Sequence, residues 1–119
     1  MHISVIGTGY VGLVTGACFA EFGVNVTCMD TDADRIATLE KGDVPFYEPG
    51  LSELVMKGMR EKHLTFTTDV GNAIEQALVI FIAVGTPSRA DGSADLSYVE
   101  QGGRGIGQHM KGYKVIATK

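Results

Sequence analysis

Short apolar runs alternate with longer segments of helical period along most of the chain. Runs of a few apolar or β-branched residues indicate strands, and segments whose apolar residues recur every three or four positions indicate helices. The predicted strands are Ile3–Ile6, Val24–Met29, Leu64–Thr67, Leu78–Val84 and Tyr113–Thr118. The predicted helices run from Gly12 to Gly23, between Thr31 and Gly42, over Leu51–Met59 and Asp69–Ala77, and from Asp95 through Met110. Such alternation is typical of a parallel sheet covered by helices, and the unbroken apolar fourth strand is expected to be central and fully buried.

The first two helices carry more specific signals. In the first helix Val11, Val14, Cys18 and Phe22 recur at helical spacing, which predicts that they form its buried face. Thr31 precedes the second helix and is expected to be its N-cap, because its hydroxyl can accept from a free backbone N–H.

The last predicted helix contains glycines at 102, 103, 105 and 107. Each interior glycine costs about 1 kcal/mol relative to alanine, so this helix should be the weakest of the chain. The segment Gly102–Gly107 also resembles a second phosphate-binding loop. Because no predicted strand precedes it and no helix opens after it, a poorly formed helix is favoured.

Composition supports one compact globular domain. The 119 residues are 45% hydrophobic and 20% charged, which is enough to bury a core. The sequence stops at Lys119 on a predicted strand, with no further helix to cover the sheet. We therefore expect an incomplete α/β domain over residues 1–119, truncated after about the fifth or sixth strand.

Charge and cysteine usage exclude several classes of function. The net charge is −4 and there is no basic run, which disfavours nucleic acid and anionic membranes as partners. The absence of a long apolar stretch and of a leader-like N-terminus predicts a cytoplasmic protein. Cys18 and Cys28 lie in apolar stretches without metal-ligand spacing, so they are expected to be reduced, buried thiols, and no metal site is predicted.

The segment Gly7–Gly12 carries the recognisable chemistry, because it matches the pattern G-x-G-x-x-G. Alone this is a weak signal in a chain with 16 glycines. Here it follows a predicted strand, opens a helix, and precedes Asp30, which ends the second strand 18 residues beyond the last glycine. This order predicts a doubly wound, Rossmann-like domain with helices on both faces of the sheet.

Each part of the fingerprint has a physical role in holding a dinucleotide. Gly7 permits the tight turn, Gly9 lets the backbone approach the pyrophosphate, and Gly12 allows close packing of helix and sheet. Tyr10 and Val11 begin the helix, whose free N–H groups and dipole favour phosphates.

Asp30 is expected to select the cofactor. Its carboxylate can accept hydrogen bonds from the adenosine ribose hydroxyls, whereas the 2′-phosphate of NADP would bring two anions together, so NAD is favoured. Arg35, one turn into the second helix, is either a contact on the adenosine side or a surface residue. The alternative for Asp30 is a solvated acid at a strand end.

Four segments resemble the UDP-glucose and GDP-mannose dehydrogenases, which oxidise a sugar-nucleotide alcohol to a carboxylate. They span nearly the whole chain in the expected order and are most similar to those of the UDP-glucose enzymes. The segments are Ile6–Leu13, Tyr47–Leu51, Val84–Pro87 and Ala94–Val99. The resemblance implies that Gly85 and Thr86 line the cofactor site near the nicotinamide, although Thr86 is almost as well explained as a turn residue before Pro87.

The family reaction implied by the resemblance is two successive hydride transfers to two NAD⁺. A cysteine captures the intermediate aldehyde, and water hydrolyses the resulting thioester to the uronic acid. That cysteine and its lysine and aspartate partners lie downstream in the family, so no catalytic residue is expected here and the chain alone should be inactive. The whole protein is expected to be a homo-oligomer, and this chain a monomer or a weak, non-physiological dimer.

Three other functions stay open. The substrate domain expected downstream could read GDP-mannose or UDP-N-acetylmannosamine instead of UDP-glucose. The chain could also be a non-catalytic NAD-sensing domain, since this fold binds nucleotides without catalysis. A β-hydroxyacid or acyl-CoA dehydrogenase shares the glycine fingerprint but has no need of the Tyr47–Leu51 and Gly85–Pro87 motifs.

Overall fold

The computed structural model describes residues 1–45, 48–84, 104 and 115–118. These residues form a parallel sheet with helices on both faces. The strands are β1 (His2–Ile6), β2 (Asn25–Met29), β3 (Leu64–Thr67), β4 (Val79–Ile82) and β5 (Val115–Thr118). The helices are α1 (Tyr10–Glu21), α2 (Ala33–Glu40), α3 (Leu51–Arg60) and α4 (Val70–Gln76). The predicted elements in these ranges are confirmed, with ends shifted by a few residues.

The strand order β3-β2-β1-β4-β5 is the order of a doubly wound, Rossmann-like fold. All four strand pairs are parallel, and β1 pairs with β2 on one side and β4 on the other. The direction of winding reverses between β1 and β4. Ligands of such sheets bind beyond the carboxyl ends of the strands at this reversal.

Two apolar clusters lie on opposite faces of the sheet. The larger cluster joins β1 and β2 to α1 and α3, with Val5, Leu13, Val26 and Val55 almost completely buried. The smaller cluster joins α4 to the other side of β1 and β4. We call these the α1 face and the α4 face of the sheet.

The predicted buried face of α1 is wrong for three of its four residues, while Val14 is partly buried against the core. Val11 and Phe22 are 47% and 83% exposed, and Cys18 is also exposed. The helix instead buries Leu13 together with a set of small residues: Gly12, Thr15, Gly16, Ala17 and Ala20. A Cβ on Gly16 would lie 2.6 Å from the Sγ of Cys28, so only a small residue lets the helix come this close to β2.

Three further sequence predictions need correction. The N-cap of α2 is Asp32, not Thr31, since its carboxylate accepts from the Arg35 N–H. Only Cys28 of the two cysteines is buried. The fourth strand is not fully buried, because Leu78 at its start is 46% exposed and alternate residues of β4 are half-buried.

Some expectations fall outside the described residues. These include the helix predicted from Asp95, apart from Arg104, and the glycines at 102, 103, 105 and 107. Among the described helices, none is both long enough and apolar enough to span a bilayer.

Candidate functional site at the carboxyl ends of β1 and β2

The turn after β1 requires glycine at position 7. Gly7 has φ +107°, and its N–H donates to the Met29 carbonyl at 2.7 Å, which ties the turn to the end of β2. A Cβ on Gly7 would lie 2.6 Å from the Ala83 carbonyl oxygen at the end of β4. Both backbone conformation and space therefore exclude a side chain here.

The other two fingerprint glycines differ in their surroundings. A Cβ on Gly12 would collide with the Gly7 carbonyl oxygen, so Gly12 is needed for packing. Gly9 is the N-cap of α1 in an extended conformation, and a Cβ there would meet nothing within 4 Å. Open space beside a glycine at the helix start is what a pyrophosphate needs in order to approach the backbone.

Asp30 follows β2 and is held by three hydrogen bonds. Its Oδ2 accepts from the backbone N–H of Thr8 at 3.0 Å and from the Thr8 hydroxyl at 2.7 Å. Its Oδ1 accepts from the Asp32 N–H at 3.0 Å. The acid at the end of β2 is thereby fixed against the glycine turn.

These contacts keep Asp30 ionised. Partial burial acts to raise its pKa, but the hydrogen bonds from Asp32 and Thr8 and the charge of Arg35 outweigh it. The pKa of Asp30 therefore lies below its usual value of 3.8. At neutral pH the site presents a fixed carboxylate, which accepts hydroxyl hydrogen bonds and repels phosphate.

Arg35 lies near this carboxylate without a close contact. Its Nη1 is 3.9 Å from Asp30 Oδ2, and its side chain is 40% exposed. An ion pair of this length and exposure contributes little to stability. The position still places a cation beside the carboxylate on the side of α2.

Tyr10 and Val11 begin α1 and are each 47% exposed. The Tyr10 hydroxyl donates to Glu48 Oε2 at 2.8 Å. This hydrogen bond and the nearby negative charge raise the pKa of Tyr10. The contact holds Glu48 against the start of α1.

Gly85 and Thr86 lie outside the described residues. Val84 is the last described residue before them, and its backbone nitrogen would be 3.1 Å from a Cβ on Gly7. Val84, which follows β4, therefore lies next to the glycine turn.

Sequence reasoning missed Thr8 as a residue of this site. It occupies a variable position of the fingerprint, yet it is completely buried and supplies two of the three donors to Asp30. The only sequence feature that pointed to Thr8 was its hydroxyl, which lies between Gly7 and Gly9 in the turn next to Asp30. Glu48 belongs to the Tyr47–Leu51 segment of the family resemblance, but only the tertiary structure shows its contact with Tyr10.

The sequence profile of the UDP-glucose/GDP-mannose dehydrogenase family, NAD binding domain, matches residues 1–119. The chain belongs to this family. It is the family's NAD-binding domain, and the expectations of a Rossmann-like fold and of NAD as cofactor are confirmed.

Relatives named UDP-glucose 6-dehydrogenase are similar over almost the whole chain. The TuaD protein of Bacillus subtilis is 53% identical over 117 residues, which are 98% of this chain and 25% of that protein. The enzyme of Rhizobium meliloti is 50% identical over 120 residues, which cover the whole chain and 28% of that protein. The chain thus spans about a quarter of the length of these curated relatives.

Solved structures of the family share the fold. A ternary complex of GDP-mannose dehydrogenase from Pseudomonas aeruginosa superposes with a TM-score of 0.95 at 36% identity, covering 99% of this chain and 28% of that one. A UDP-glucose dehydrogenase from Pyrobaculum islandicum gives a TM-score of 0.87 at 39% identity, covering 91% of this chain and 25% of that one.

The described residues fit a dinucleotide in two respects. The open space at Gly9 adjoins the N-terminus of α1, and the ionised Asp30 lies beside the same turn. The described part of the chain contains no group of three His, Cys, Asp or Glu side chains that could hold a metal ion.

Proposed function

We propose that this chain holds NAD through the fingerprint turn, Asp30 and the start of α1, within a UDP-glucose 6-dehydrogenase. The observation that carries the binding site is the ionised Asp30 carboxylate, fixed by Thr8 against the turn. One acceptor position on Oδ1 is left beside its bond from Asp32, which suits a ribose hydroxyl. Bound NAD⁺ would supply the hydride acceptor.

Each predicted site residue has a role in this proposal. Gly9, Tyr10, Val11 and Gly12 present the start of α1 to the pyrophosphate, and Gly7 sets the turn. Arg35, with Nη1 3.9 Å from Asp30 Oδ2, is proposed to reach the adenosine side of the cofactor. Gly85 and Thr86 are proposed to reach the nicotinamide half, as the family resemblance implies.

We propose that the whole protein oxidises UDP-glucose to UDP-glucuronate with two NAD⁺, and that its substrate domain lies outside residues 1–119. Relatives that bear the UDP-glucose name are about half identical to this chain, which supports this substrate. GDP-mannose is the second candidate, because a GDP-mannose dehydrogenase superposes with a TM-score of 0.95. We further propose that the whole protein is a homo-oligomer.

Two measurements test this proposal separately. Calorimetric titration of the 119-residue chain should show binding of NAD and weaker binding of NADP, and equal affinities would remove Asp30 from its proposed role. The whole protein should form NADH from NAD⁺ with UDP-glucose faster than with GDP-mannose. The 119-residue chain should form none above a protein-free control, since the nucleophilic cysteine is expected elsewhere.

A further inference from the structure

The helices α1 and α3 lie side by side and are joined at both ends. Near the amino ends of the strands, Lys57 of α3 donates to Glu21 of α1 at 3.0 Å. Near the carboxyl ends, the Tyr10 hydroxyl donates to Glu48, which lies just before α3. The two helices are therefore parallel, and both begin at the edge of the sheet where the cofactor site lies.

The segment that carries Glu48 is fixed to the core. The Glu48 carbonyl accepts from the Leu51 N–H at 3.1 Å. The carbonyl of Gly50, the N-cap of α3, accepts from the Leu54 N–H at the same distance. Leu51 is only 3% exposed and belongs to the apolar cluster on the α1 face. Glu48 is thus attached to the start of a packed helix, and its carboxylate offers Tyr10 a fixed acceptor.

The start of α1 lacks the groups that usually fix a helix end. Its N-cap is Gly9, which has no side chain to cap the first turn, and that turn contains no acidic residue. Capping groups of either kind would compete with a pyrophosphate for the N–H groups at the helix start. The side chain of Tyr10 instead ends on Glu48, so the first residue of α1 is anchored without the use of these N–H groups.

We propose that Glu48 is a positioning residue for the cofactor, which holds Tyr10, and with it the first turn of α1, in place for the pyrophosphate. This inference rests on the proposed NAD site. Helix ends fray, and an end that is already fixed loses less conformational entropy when a ligand binds. The hydrogen bond to Glu48 and the charge of this residue raise the pKa of Tyr10, so its hydroxyl remains a donor at neutral pH.

The sign of the effect separates a positioning residue from an ordinary surface acid. Glu48 carries a negative charge close to the start of α1, so its charge alone opposes the binding of an anionic cofactor. Removal of a merely solvated acid should therefore leave the NAD affinity unchanged or raise it slightly. Removal of a positioning residue should lower the NAD affinity.

Calorimetric titration of the whole protein with NAD tests this sign. Glu48→Ala should weaken NAD binding by about threefold to tenfold, as expected for two coupled side chains in contact. Tyr10→Phe should have a similar effect, and the double variant should be about as weak as each single one, because both substitutions remove the same hydrogen bond. Glu48→Gln should retain most of the affinity, since its amide oxygen can still accept from the hydroxyl. The matched control is Glu53→Ala, which removes an exposed acid in the first turn of α3 and should not weaken binding.

Two shorter ligands show whether the effect is confined to the pyrophosphate. Adenosine carries the ribose expected at Asp30 but no phosphate, so its affinity should be equal in Glu48→Ala and the native protein. ADP-ribose keeps the pyrophosphate and should weaken as NAD does. Displacement of bound NADH, followed by fluorescence, measures both. The melting temperature should hardly change, because a hydrogen bond between two exposed side chains contributes little to stability.

Three results would overturn the inference alone. Unchanged or higher NAD affinity in Glu48→Ala would show that Glu48 is only a surface acid. Equal losses for adenosine and ADP-ribose, or a melting temperature several degrees lower, would show a general role in folding. Additive losses in the double variant would show that Glu48 does not act through Tyr10. Absence of NAD binding by the native protein would instead overturn the proposed function and this inference with it.

Discussion

Thr8 donates its backbone N–H and its hydroxyl to the same oxygen of Asp30, at 3.0 and 2.7 Å. The other oxygen accepts from the Asp32 N–H. A carboxylate has about four acceptor positions, so the described residues fill three of them and leave one on Oδ1. The turn that is expected to receive the pyrophosphate therefore also orients the acid that is expected to receive the ribose.

Thr8→Val should weaken NAD binding by about tenfold or more. The substitution keeps the shape of the buried side chain but removes one of two donors to Asp30 Oδ2, and a hydrogen bond to a charged group contributes about 1.5–3 kcal/mol. Thr8→Ser keeps the hydroxyl and serves as the control. Calorimetric titration with NAD measures both variants. Identical affinities for the valine and serine variants would show that the hydroxyl does not position Asp30.

Asp30→Asn should weaken NAD binding and reduce the preference for NAD over NADP by tenfold or more. The amide keeps the size of the side chain but removes the charge that repels a 2′-phosphate. Asp34→Asn is the matched control, since Asp34 is an exposed acid in the first turn of α2. Affinities for both cofactors are compared in the two variants. A preference unchanged in Asp30→Asn would exclude this carboxylate as the selective group.

Asp30 should also make the stability of the domain depend on pH in the acid range. Its folded-state pKa lies below the ordinary value of 3.8, so its stabilising contribution is complete above that value and is lost as pH falls through the lower folded pKa. The difference in unfolding free energy between the native chain and Asp30→Asn should therefore be constant from pH 7 to about pH 5. Below about pH 4 it should shrink. Urea unfolding across this range measures it, and a difference independent of pH would contradict the assignment.

Alanine substitutions at Gly9 and Gly12 should separate binding from folding. Gly12→Ala places a Cβ against the Gly7 carbonyl oxygen and should cost about 1–3 kcal/mol of stability or more. Gly9→Ala enters open space in an extended conformation that alanine adopts without strain, so stability should change by less than about 0.5 kcal/mol. Gly9→Ala should nevertheless weaken NAD binding, because the methyl group occupies the approach to the helix start. Thermal unfolding and NAD titration of both variants measure these effects, and unchanged NAD affinity in Gly9→Ala would place the pyrophosphate elsewhere.

The sequence determined the order and type of the described elements because these follow from local patterns. Apolar runs marked the strands, and the spacing from Gly7 to Asp30 marked the fold and the cofactor. In a parallel sheet of this order the ends of β1 and β2 lie side by side, so the position of Asp30 near the glycine turn was predictable. The roles of Gly85 and Thr86 remain predictions.

Only the tertiary structure decided which side of α1 is buried. The helical period of the sequence identified a row of apolar residues at Val11, Val14, Cys18 and Phe22. The period does not show how closely the helix must approach the sheet. The close approach at Gly12 and Gly16 leaves no room for a larger side chain at these two positions, so the side of the helix that carries them faces the core and Phe22 faces outward. The contact of Thr8 with Asp30 is likewise tertiary, because it joins residues 22 positions apart through the pairing of β1 with β2.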